Sequence, residues 1–331
     1  MDLTTTYLGR TLPHPFMPGA SPLSDDLDMI RRLEDAGAAA IVLRSLFEEQ
    51  ITRDQMSVLF HQETHDESFA EATSFFPNPD DFVLGPEEYL RHLQQVKRSV
   101  GIPVIASLNG TSAGGWLDYA RLMEEAGADA LEMNIFHIPT DPEIPATTLE
   151  REIVDMVREV KKGLRIPVAV KLSPFFTAFA HLAGALDKAG ADGLILFNRF
   201  YEPDIRIEDL EVTRELHVSS SSELGLRLRW LAILSDRVKA SLAVTGGVHT
   251  ARDAIKSIMV GAHAVQMVSS LILNGPSHLR TILDGVEEWM EENEWTSLAQ
   301  MRGNMGWLRV PDPKSYERAN YLAMLQGWAK L

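Results

Sequence analysis

Lys171 is the residue whose position in this sequence most clearly indicates a chemical role. It ends the apolar run Val168-Ala169-Val170, where a charge is costly unless a ligand or a counter-ion balances it. Three roles fit such a lysine. It could be a structural cation paired with a carboxylate, the Schiff-base nucleophile of a barrel aldolase, or a cation that holds negative charge on a flavin ring.

Other polar residues also follow apolar segments of the chain. Together they supply two cations, amides, hydroxyls and a glycine pair, but no carboxylate pair and no histidine cluster. The set predicts a site for a polar, anionic ligand, and it lacks the groups that metal-dependent hydrolysis or glycoside cleavage requires. Besides Lys171, its members are Ala20-Ser21, Arg44-Ser45, Ser107, Asn109, Asn134, Asn198, Gly246-Gly247 and Ser269-Ser270.

Two of these segments have the composition of phosphate-binding loops. Thr245-Gly246-Gly247 and Val268-Ser269-Ser270 follow the last two apolar segments of the repeating pattern. Backbone amides, hydroxyls and a helix N-terminus bind phosphate at this place in many barrels. We therefore predict a shared phosphate site.

The elements that must position these residues are marked by a repeated helix ending. Gly-Ala stands just before an apolar segment in four places, at the ends of Asp35–Ala38, Glu125–Ala128, Lys188–Ala191 and Met259–Ala262. Glycine after a helix can adopt the left-handed conformation that ends it. The repeat thus predicts a helix, a tight turn and a buried strand, four times over.

Eight predicted strands alternate with helices of ordinary length. Because alternating strands and helices form parallel sheets, the pattern predicts a (β/α)8 TIM barrel with its chemistry at the carboxyl ends of the strands. The eight strands favour this barrel over an open doubly wound sheet, and no G-x-G-x-x-G follows a strand, which weakens a dinucleotide-binding function. The predicted strands are Phe16–Ala20, Ala39–Leu43, Pro103–Leu108, Ala130–Asn134, Pro167–Leu172, Gly193–Asn198, Ser241–Thr245 and Ala264–Val268.

Length and composition indicate one large globular domain. The chain has 331 residues, a formal net charge of −16 and no cysteine, which argues against nucleic-acid or membrane surfaces and excludes disulfides and a catalytic thiol. No signal peptide or membrane span is predicted, so we expect a cytoplasmic protein. We predict a barrel over residues 1–305 with long catalytic-face insertions at Phe47–Gly85 and Arg199–Glu223, and a C-terminal extension over 306–331 that packs on the barrel or at an interface.

In order and spacing, these segments resemble the dihydroorotate dehydrogenase family, particularly its soluble class 1 branch of FMN-containing barrels. The likeness extends from about Met1 to Met305. It is carried by Pro15-Phe16-Met17 with Ala20-Ser21, by Gly37–Ser45, Glu132-Met133-Asn134, Ala169–Phe176 and Phe197-Asn198, and by Thr245–Val248 and Val265–Ser270.

The resemblance implies an FMN-dependent dehydrogenase acting on CH–CH groups, such as dihydroorotate in pyrimidine biosynthesis. Lys171 would lie beside the N1/O2 edge of the flavin, and Asn134 and Asn198 would bind substrate. The other implied cofactor contacts are Ala20, Ser21, Arg44, Ser45, Asn109, Asn134, Gly225, Gly246, Gly247, Ser269 and Ser270.

Departures from the family pattern concentrate on the substrate side. After the fourth strand, the family has an asparagine, two further residues, a Cys or Ser that acts as the base, and then Pro and Asn. The corresponding segment here is Asn134-Ile135-Phe136-His137-Ile138-Pro139. His137 therefore takes the position of the base. Arg44 replaces the usual lysine, and Leu224-Gly225-Leu226 is a degenerate glycine-rich loop. Around Ala72 another substrate asparagine is missing. His61 and His65, also in the Phe47–Gly85 segment, are expected to be solvated.

Two other functions fit the same residues. One is a barrel aldolase or lyase that uses Lys171 as a Schiff base on a phosphorylated substrate, and the other is a flavin-binding barrel without turnover. By resemblance, the electron acceptor would be fumarate or a partner subunit carrying FAD and an iron–sulfur cluster. A homodimer is expected on the same basis.

Overall fold

The fold is an eight-stranded parallel barrel, given by a computed structural model that describes residues 1–48, 50, 85–110, 113–199, 202–213, 217–317, 321 and 325–327. The eight strands lie in the order β3-β12-β11-β8-β7-β6-β5-β4. The N–H of Ala39 donates to the carbonyl oxygen of Phe16 at 3.0 Å, which joins the two ends of the sheet. The predicted TIM barrel is confirmed. Its strands are β3 (Phe16–Pro18), β4 (Ile41–Phe47), β5 (Val104–Asn109), β6 (Ala130–Asn134), β7 (Val168–Leu172), β8 (Gly193–Leu196), β11 (Ser241–Thr245) and β12 (Ala264–Met267).

Helices cover the outside of the barrel between successive strands. The four predicted turn glycines have φ values of 93° at Gly37, 99° at Gly127, 101° at Gly190 and 116° at Gly261, as expected for left-handed helix ends. The helices are α1 (Leu27–Asp35), α2 (Pro86–Ser99), α3 (Ala113–Glu125), α4 (Ala146–Gly163), α5 (Phe179–Ala189), α6 (Leu224–Leu234), α7 (Ala251–Met259), α8 (Ser269–Asn274), α9 (His278–Glu292) and α10 (Leu298–Met301).

The inside of the barrel is narrow at its amino-terminal end and polar at its carboxyl end. Small residues such as Ala130, Ala169 and Ala264 form the lower layer, and the hairpin of β1 (Thr5–Tyr7) and β2 (Arg10–Leu12) closes it from below. Two residues further along β6, β7 and β12, the inward positions are Glu132, Lys171 and Gln266, all buried. Because side chains alternate along a strand, an alanine layer below carries a polar layer above.

Two hairpins were not among the predicted elements. One is β1–β2, and the other pairs β9 (Asp204–Arg206) with β10 (Glu211–Thr213) inside the predicted Arg199–Glu223 insertion. The Phe47–Gly85 insertion, with His61, His65 and Ala72, lies almost entirely outside the described residues. No helix in the described part of the chain is long and apolar enough to cross a membrane.

Residues after the barrel pack against α6 and the turn that follows it. The N–H of Trp307 donates to the carbonyl oxygen of Ala232 at 2.8 Å, and the guanidinium of Arg237 lies 4.2 Å from the Trp307 ring centroid. Arg309 and Asp236 form an ion pair at 2.7 Å. The first part of the C-terminal extension is therefore in contact with the barrel.

Candidate functional site

A cavity of about 420 Å³ opens at the carboxyl ends of the strands. This volume lies in the range of small-molecule sites, and the position agrees with the face predicted for chemistry. The structure brings together here most of the residues predicted from sequence: Ala20, Ser21, Arg44, Ser45, Asn109, Asn134, Lys171, Asn198, Gly246 and Ser269.

Lys171 lies in the wall of this cavity and is held by a buried carboxylate. Its Nζ is 3.2 Å from Oε1 of Glu132, and Nε2 of Gln266 donates to Oε2 of the same carboxylate at 2.7 Å. The structural role considered for Lys171 is therefore real, and it coexists with exposure to the ligand cavity. A Schiff-base nucleophile must be free to attack its substrate, and the Nζ of Lys171 is engaged in a buried ion pair with Glu132, which disfavours the aldolase alternative.

Amides and hydroxyls form a hydrogen-bonded row beside Lys171. The hydroxyls of Ser45 and Ser107 are 2.7 Å apart, and Nδ2 of Asn134 donates to Oγ of Ser45 at 3.4 Å. Nδ2 of Asn198 donates to Oδ1 of Asn134. These contacts fix the two asparagines at the end of β6 and just past β8, where they can donate to a ring carbonyl or accept from a ring N–H.

Both arginines in the cavity wall are paired with carboxylates. Arg44 contacts Asp25 at 2.7 Å, and Nη1 of Arg199 donates to the two carboxylate oxygens of Glu223 at 3.0 and 2.8 Å. Burial alone would raise the pKa of Glu223, but the hydrogen bonds and charge of Arg199 outweigh it, so the pKa is lowered. The carboxylate of Glu223 therefore stays ionised at neutral pH. Each carboxylate positions the guanidinium group that it contacts.

The predicted phosphate loops meet at one corner of the cavity. Gly246 and Gly247 have φ values of 78° and 81°. Oγ of Ser219 accepts from the N–H of Gly247 at 3.2 Å, and the N–H of Ser219 donates to Oγ of Ser269 at 3.0 Å. His249 contacts the Ser219 hydroxyl at 3.1 Å through Nε2. Ser219 thus ties the β11 and β12 loops into one structure.

Five predicted residues do not line the cavity. Ser107 is fully buried behind Ser45. Gly225 lies in the first turn of α6, and Ser270 is buried in α8. Gly247 is one residue removed from the wall and supports Ser219. His137 is exposed and lines a neighbouring, mostly apolar cavity of about 380 Å³.

The segment after β6 separates the two cavities. Asn134 and Phe136 face the 420 Å³ cavity, whereas Ile135 and His137 face the 380 Å³ cavity. The alternation follows from extended backbone, in which successive side chains point to opposite sides. His137 therefore lies next to the ligand cavity without entering it.

Sequence reasoning missed Ser219, Glu132 and Gln266 as parts of the site. Ser219 begins the Ser219–Ser222 run, whose position in an insertion gave no reason to prefer one serine. Glu132 and Gln266 stand at inward positions of otherwise apolar strands, which is the same signal that identified Lys171. Among the described residues, no group of three or more His, Asp or Glu could hold a metal ion.

A parallel barrel with a ligand cavity at this end is a barrel enzyme, and the cavity's amides, lysine and glycine-rich corner suit a polar, anionic ligand. The profile of the family described as dihydroorotate dehydrogenase matches residues 82–290. The chain therefore belongs to the dihydroorotate dehydrogenase family, and it is a dehydrogenase acting on CH–CH groups. Members of this family are flavoproteins.

Individual relatives agree with this assignment over nearly the whole chain. A protein of Thermoplasma acidophilum named dihydroorotate dehydrogenase B (NAD(+)), catalytic subunit, is 27% identical over 91% of this chain and 98% of its own length. A Pyrococcus furiosus protein of the same name is 25% identical over 92% and 98%. The NAD-dependent dihydropyrimidine dehydrogenase subunit PreA of Escherichia coli is 24% identical over 91% and 76%.

Proposed function

We propose that the 420 Å³ cavity binds FMN and that the chain interconverts a CH–CH bond and a C=C bond next to a carbonyl in a cyclic amide such as dihydroorotate. The phosphate would lie in the corner formed by Gly246, Ser219 and Ser269, and the ring beside Lys171. When bound, FMN would supply the two-electron acceptor for this chemistry.

The described residues fit this cofactor. A Cβ added at Gly246 would lie 2.7 Å from Arg227 Nη2, and one at Gly247 would lie 2.9 Å from the backbone nitrogen of Leu224. The loop therefore needs glycine to keep its turn. In addition, the buried hydroxyl of Ser21 in the cavity wall has no partner among the described residues, so it is available to a ligand.

The single observation that carries the proposal is the buried lysine in the same cavity as the two-loop corner. Lys171 can hold negative charge at one end of a ligand while the glycine and serine loops hold an anion at the other. A Schiff-base enzyme acting on a phosphorylated substrate would also use the lysine and the two loops, but the ordered amides Asn134 and Asn198 would have no role in it.

His137 remains the proposed base that removes the substrate proton. Neutral imidazole is well suited to this step near pH 7. Because the imidazole lines the neighbouring cavity, the role requires residues 135–139 to rearrange when substrate binds. Asn134 and Asn198 would hold the substrate amide groups by hydrogen bonds.

The visible spectrum of the purified protein tests the cofactor. We expect the two absorption bands of oxidised flavin, with one FMN per chain after reconstitution. A colourless protein that takes up no FMN would contradict the proposal. Anaerobic addition of dihydroorotate should then bleach the spectrum. If FMN is bound but dihydroorotate causes no bleaching, the flavin assignment stands and this substrate is excluded.

We also propose that the chain works with an electron-transfer subunit and forms a homodimer. The names of the Thermoplasma and Escherichia coli relatives, as a catalytic subunit and a subunit, support the electron-transfer partner.

The homodimer is supported by an exposed apolar pair. Ile205 and Val212 are directly paired across the β9–β10 hairpin, and each is 63% exposed. An exposed apolar pair of this kind suits an interface, and light scattering after size-exclusion chromatography measures whether the chain is a dimer.

A further inference from the structure

Glu132 is the most deeply buried carboxylate near the proposed flavin site, and it does not itself line the cavity. It is fully buried on β6, as is Gln266 on β12, and Lys171 on β7 is 5% exposed. The β6–β7 register pairs Glu132 with Ala169 and Asn134 with Lys171. Glu132 therefore lies one inward position before Asn134 on β6, and Asn134 and Lys171 line the cavity.

Both oxygens of this carboxylate have a specific partner. Oε1 is 3.2 Å from Lys171 Nζ, and Oε2 accepts from Gln266 Nε2 at 2.7 Å. Burying a carboxylate costs several kcal/mol unless a partner charge and hydrogen bonds compensate it. Gln266 reaches from β12 to fix the carboxylate, and the fixed carboxylate in turn holds the lysine ammonium. The lysine's position is thus determined by three strands.

The field of Glu132 is felt elsewhere inside the barrel. Burial and then the negative charge of Glu132 raise the pKa of Tyr7, which belongs to the hairpin that closes the barrel from below. The carboxylate acts there as a negative charge in a poorly screened interior. A flavin placed beside Lys171 would experience the same charge from above.

We propose that Glu132, oriented by Gln266, is a positioning residue that fixes Lys171 in the cavity wall and sets the reduction potential of the bound flavin by balancing the lysine charge. The inference rests on the proposed function. The cation beside the flavin then belongs to a buried pair with no net charge. A flavin beside this pair is harder to reduce than a flavin beside a lysine without a counter-charge.

Replacing the carboxylate by an amide tests the electrostatic part. In FMN-loaded Glu132→Gln, we expect the equilibrium constant for flavin reduction to rise about tenfold, which is about 30 mV for a two-electron couple. The midpoint potential would be measured against reference dyes. Glu132→Asp keeps the charge and should lie closer to the wild-type value.

Asp192→Asn is the matched control. Asp192 forms a partly exposed ion pair with Lys161 at 2.5 Å at the opposite end of the barrel, so its replacement removes a carboxylate charge far from the flavin. Its potential should equal that of the wild type. An unchanged potential in Glu132→Gln, or an equal shift in Asp192→Asn, would overturn the proposal.

A double-mutant cycle keeps the test decisive if Glu132→Gln is too unstable to hold FMN. Removing one partner of a buried ion pair leaves an uncompensated buried charge and is strongly destabilising, whereas removing both costs much less. We therefore expect Glu132→Gln combined with Lys171→Gln to unfold at a higher urea concentration than Glu132→Gln alone. Additive effects of the two substitutions would show that Glu132 does not act through Lys171.

The same cycle separates this inference from the proposed function. If the wild-type protein binds no FMN, the cofactor proposal fails, and with it the effect on potential. The coupling between Glu132 and Lys171 in unfolding would still be present. If FMN binds and the coupling is absent, the positioning role alone is wrong.

Discussion

At the scale of single residues, the site combines cations that are already paired with a histidine that is not yet in place. Lys171, Arg44 and Arg199 each have a carboxylate partner, so their geometry is set before any ligand binds. His137 is exposed beside the cavity. Positioning of charge is therefore built into the barrel, whereas the proton removal proposed for His137 would depend on a loop.

The role of His137 leads to a prediction about turnover. His137→Ala should lower kcat for oxidation of the CH–CH substrate by about 10²- to 10⁴-fold, since a positioned base contributes a factor of this size. The visible spectrum and the FMN content should stay unchanged. Stopped-flow measurement of flavin reduction isolates this step.

His181 provides the control for that experiment. It is an exposed histidine on α5, outside both cavities, so His181→Ala should have wild-type kinetics. Equal turnover in His137→Ala and the wild type would show that another group removes the proton and that His137 is a residue of the cavity rim.

At the scale of elements, two short loops and one insertion build the anion site. The β11 loop contributes Gly246 and Gly247, the β12 loop contributes Ser269 at the start of α8, and the insertion before α6 contributes Ser219. None of the three would be ordered for phosphate alone. Their hydrogen bonds to one another give the corner its shape.

Gly247 and Gly225 offer a direct test of which glycine matters. Gly247 has a φ of 81°, and a Cβ there would lie 2.9 Å from Leu224 N, so Gly247→Ala should strain the loop by about 1 kcal/mol or more and weaken FMN binding by about fivefold or more. Fluorescence quenching of added FMN measures the dissociation constant.

Gly225→Ala is the companion variant. An added Cβ at Gly225 meets nothing within 4 Å among the described atoms, and its φ is not in the left-handed region. We expect unchanged FMN affinity and a gain of about 0.5–1 kcal/mol in helix stability. Loss of FMN binding in Gly225→Ala would restore the role inferred for this glycine from the family pattern.

At the scale of the whole molecule, the barrel was predictable because its signals are local and repeated. The Gly-Ala turns and apolar strands are short-range patterns, and all eight strands formed near the expected residues. Lys171, Asn134 and Gly246 were found because strand ends converge in any parallel barrel. Residue type and position along a strand were sufficient for these.

The remainder depends on contacts between distant segments. Glu132 and Gln266 are separated by 134 positions, and nothing in either strand alone indicates that they meet. Ser219 acquires its role only through Ser269 and Gly247. The direction in which His137 points depends on the path of an irregular segment, which residue spacing does not determine.

His263 contacts the hairpin that closes the barrel from below, and it makes the stability of the barrel depend on pH. The N–H of Leu242 donates to Nδ1 of His263 at 3.1 Å. The backbone carbonyl oxygen of His263 accepts from Oγ1 of Thr5, which belongs to the closing hairpin. Burial, and then the charge of Arg302, lower the pKa of His263 to about 4. The histidine therefore remains neutral in the folded protein at pH values where it is protonated in the unfolded chain.

The sign of the resulting pH dependence follows from this difference. Between about pH 6.5 and 4 the unfolded chain takes up a proton that the folded protein does not, so the free energy of unfolding falls as the pH is lowered through this window. The contribution of His263 is at most about 3 kcal/mol, and it is fully retained above pH 6.5. Urea unfolding at a series of pH values measures the slope.

His263→Asn should flatten that slope, because the amide oxygen can accept from Leu242 N without titrating. The control His181→Asn changes an exposed histidine and should leave the slope as in the wild type. His14 and His249 also have lowered pKa values, mainly through burial, so part of the pH dependence should survive in His263→Asn. Identical slopes in His263→Asn and the wild type would mean that protonation of His263 does not limit the acid stability of the barrel.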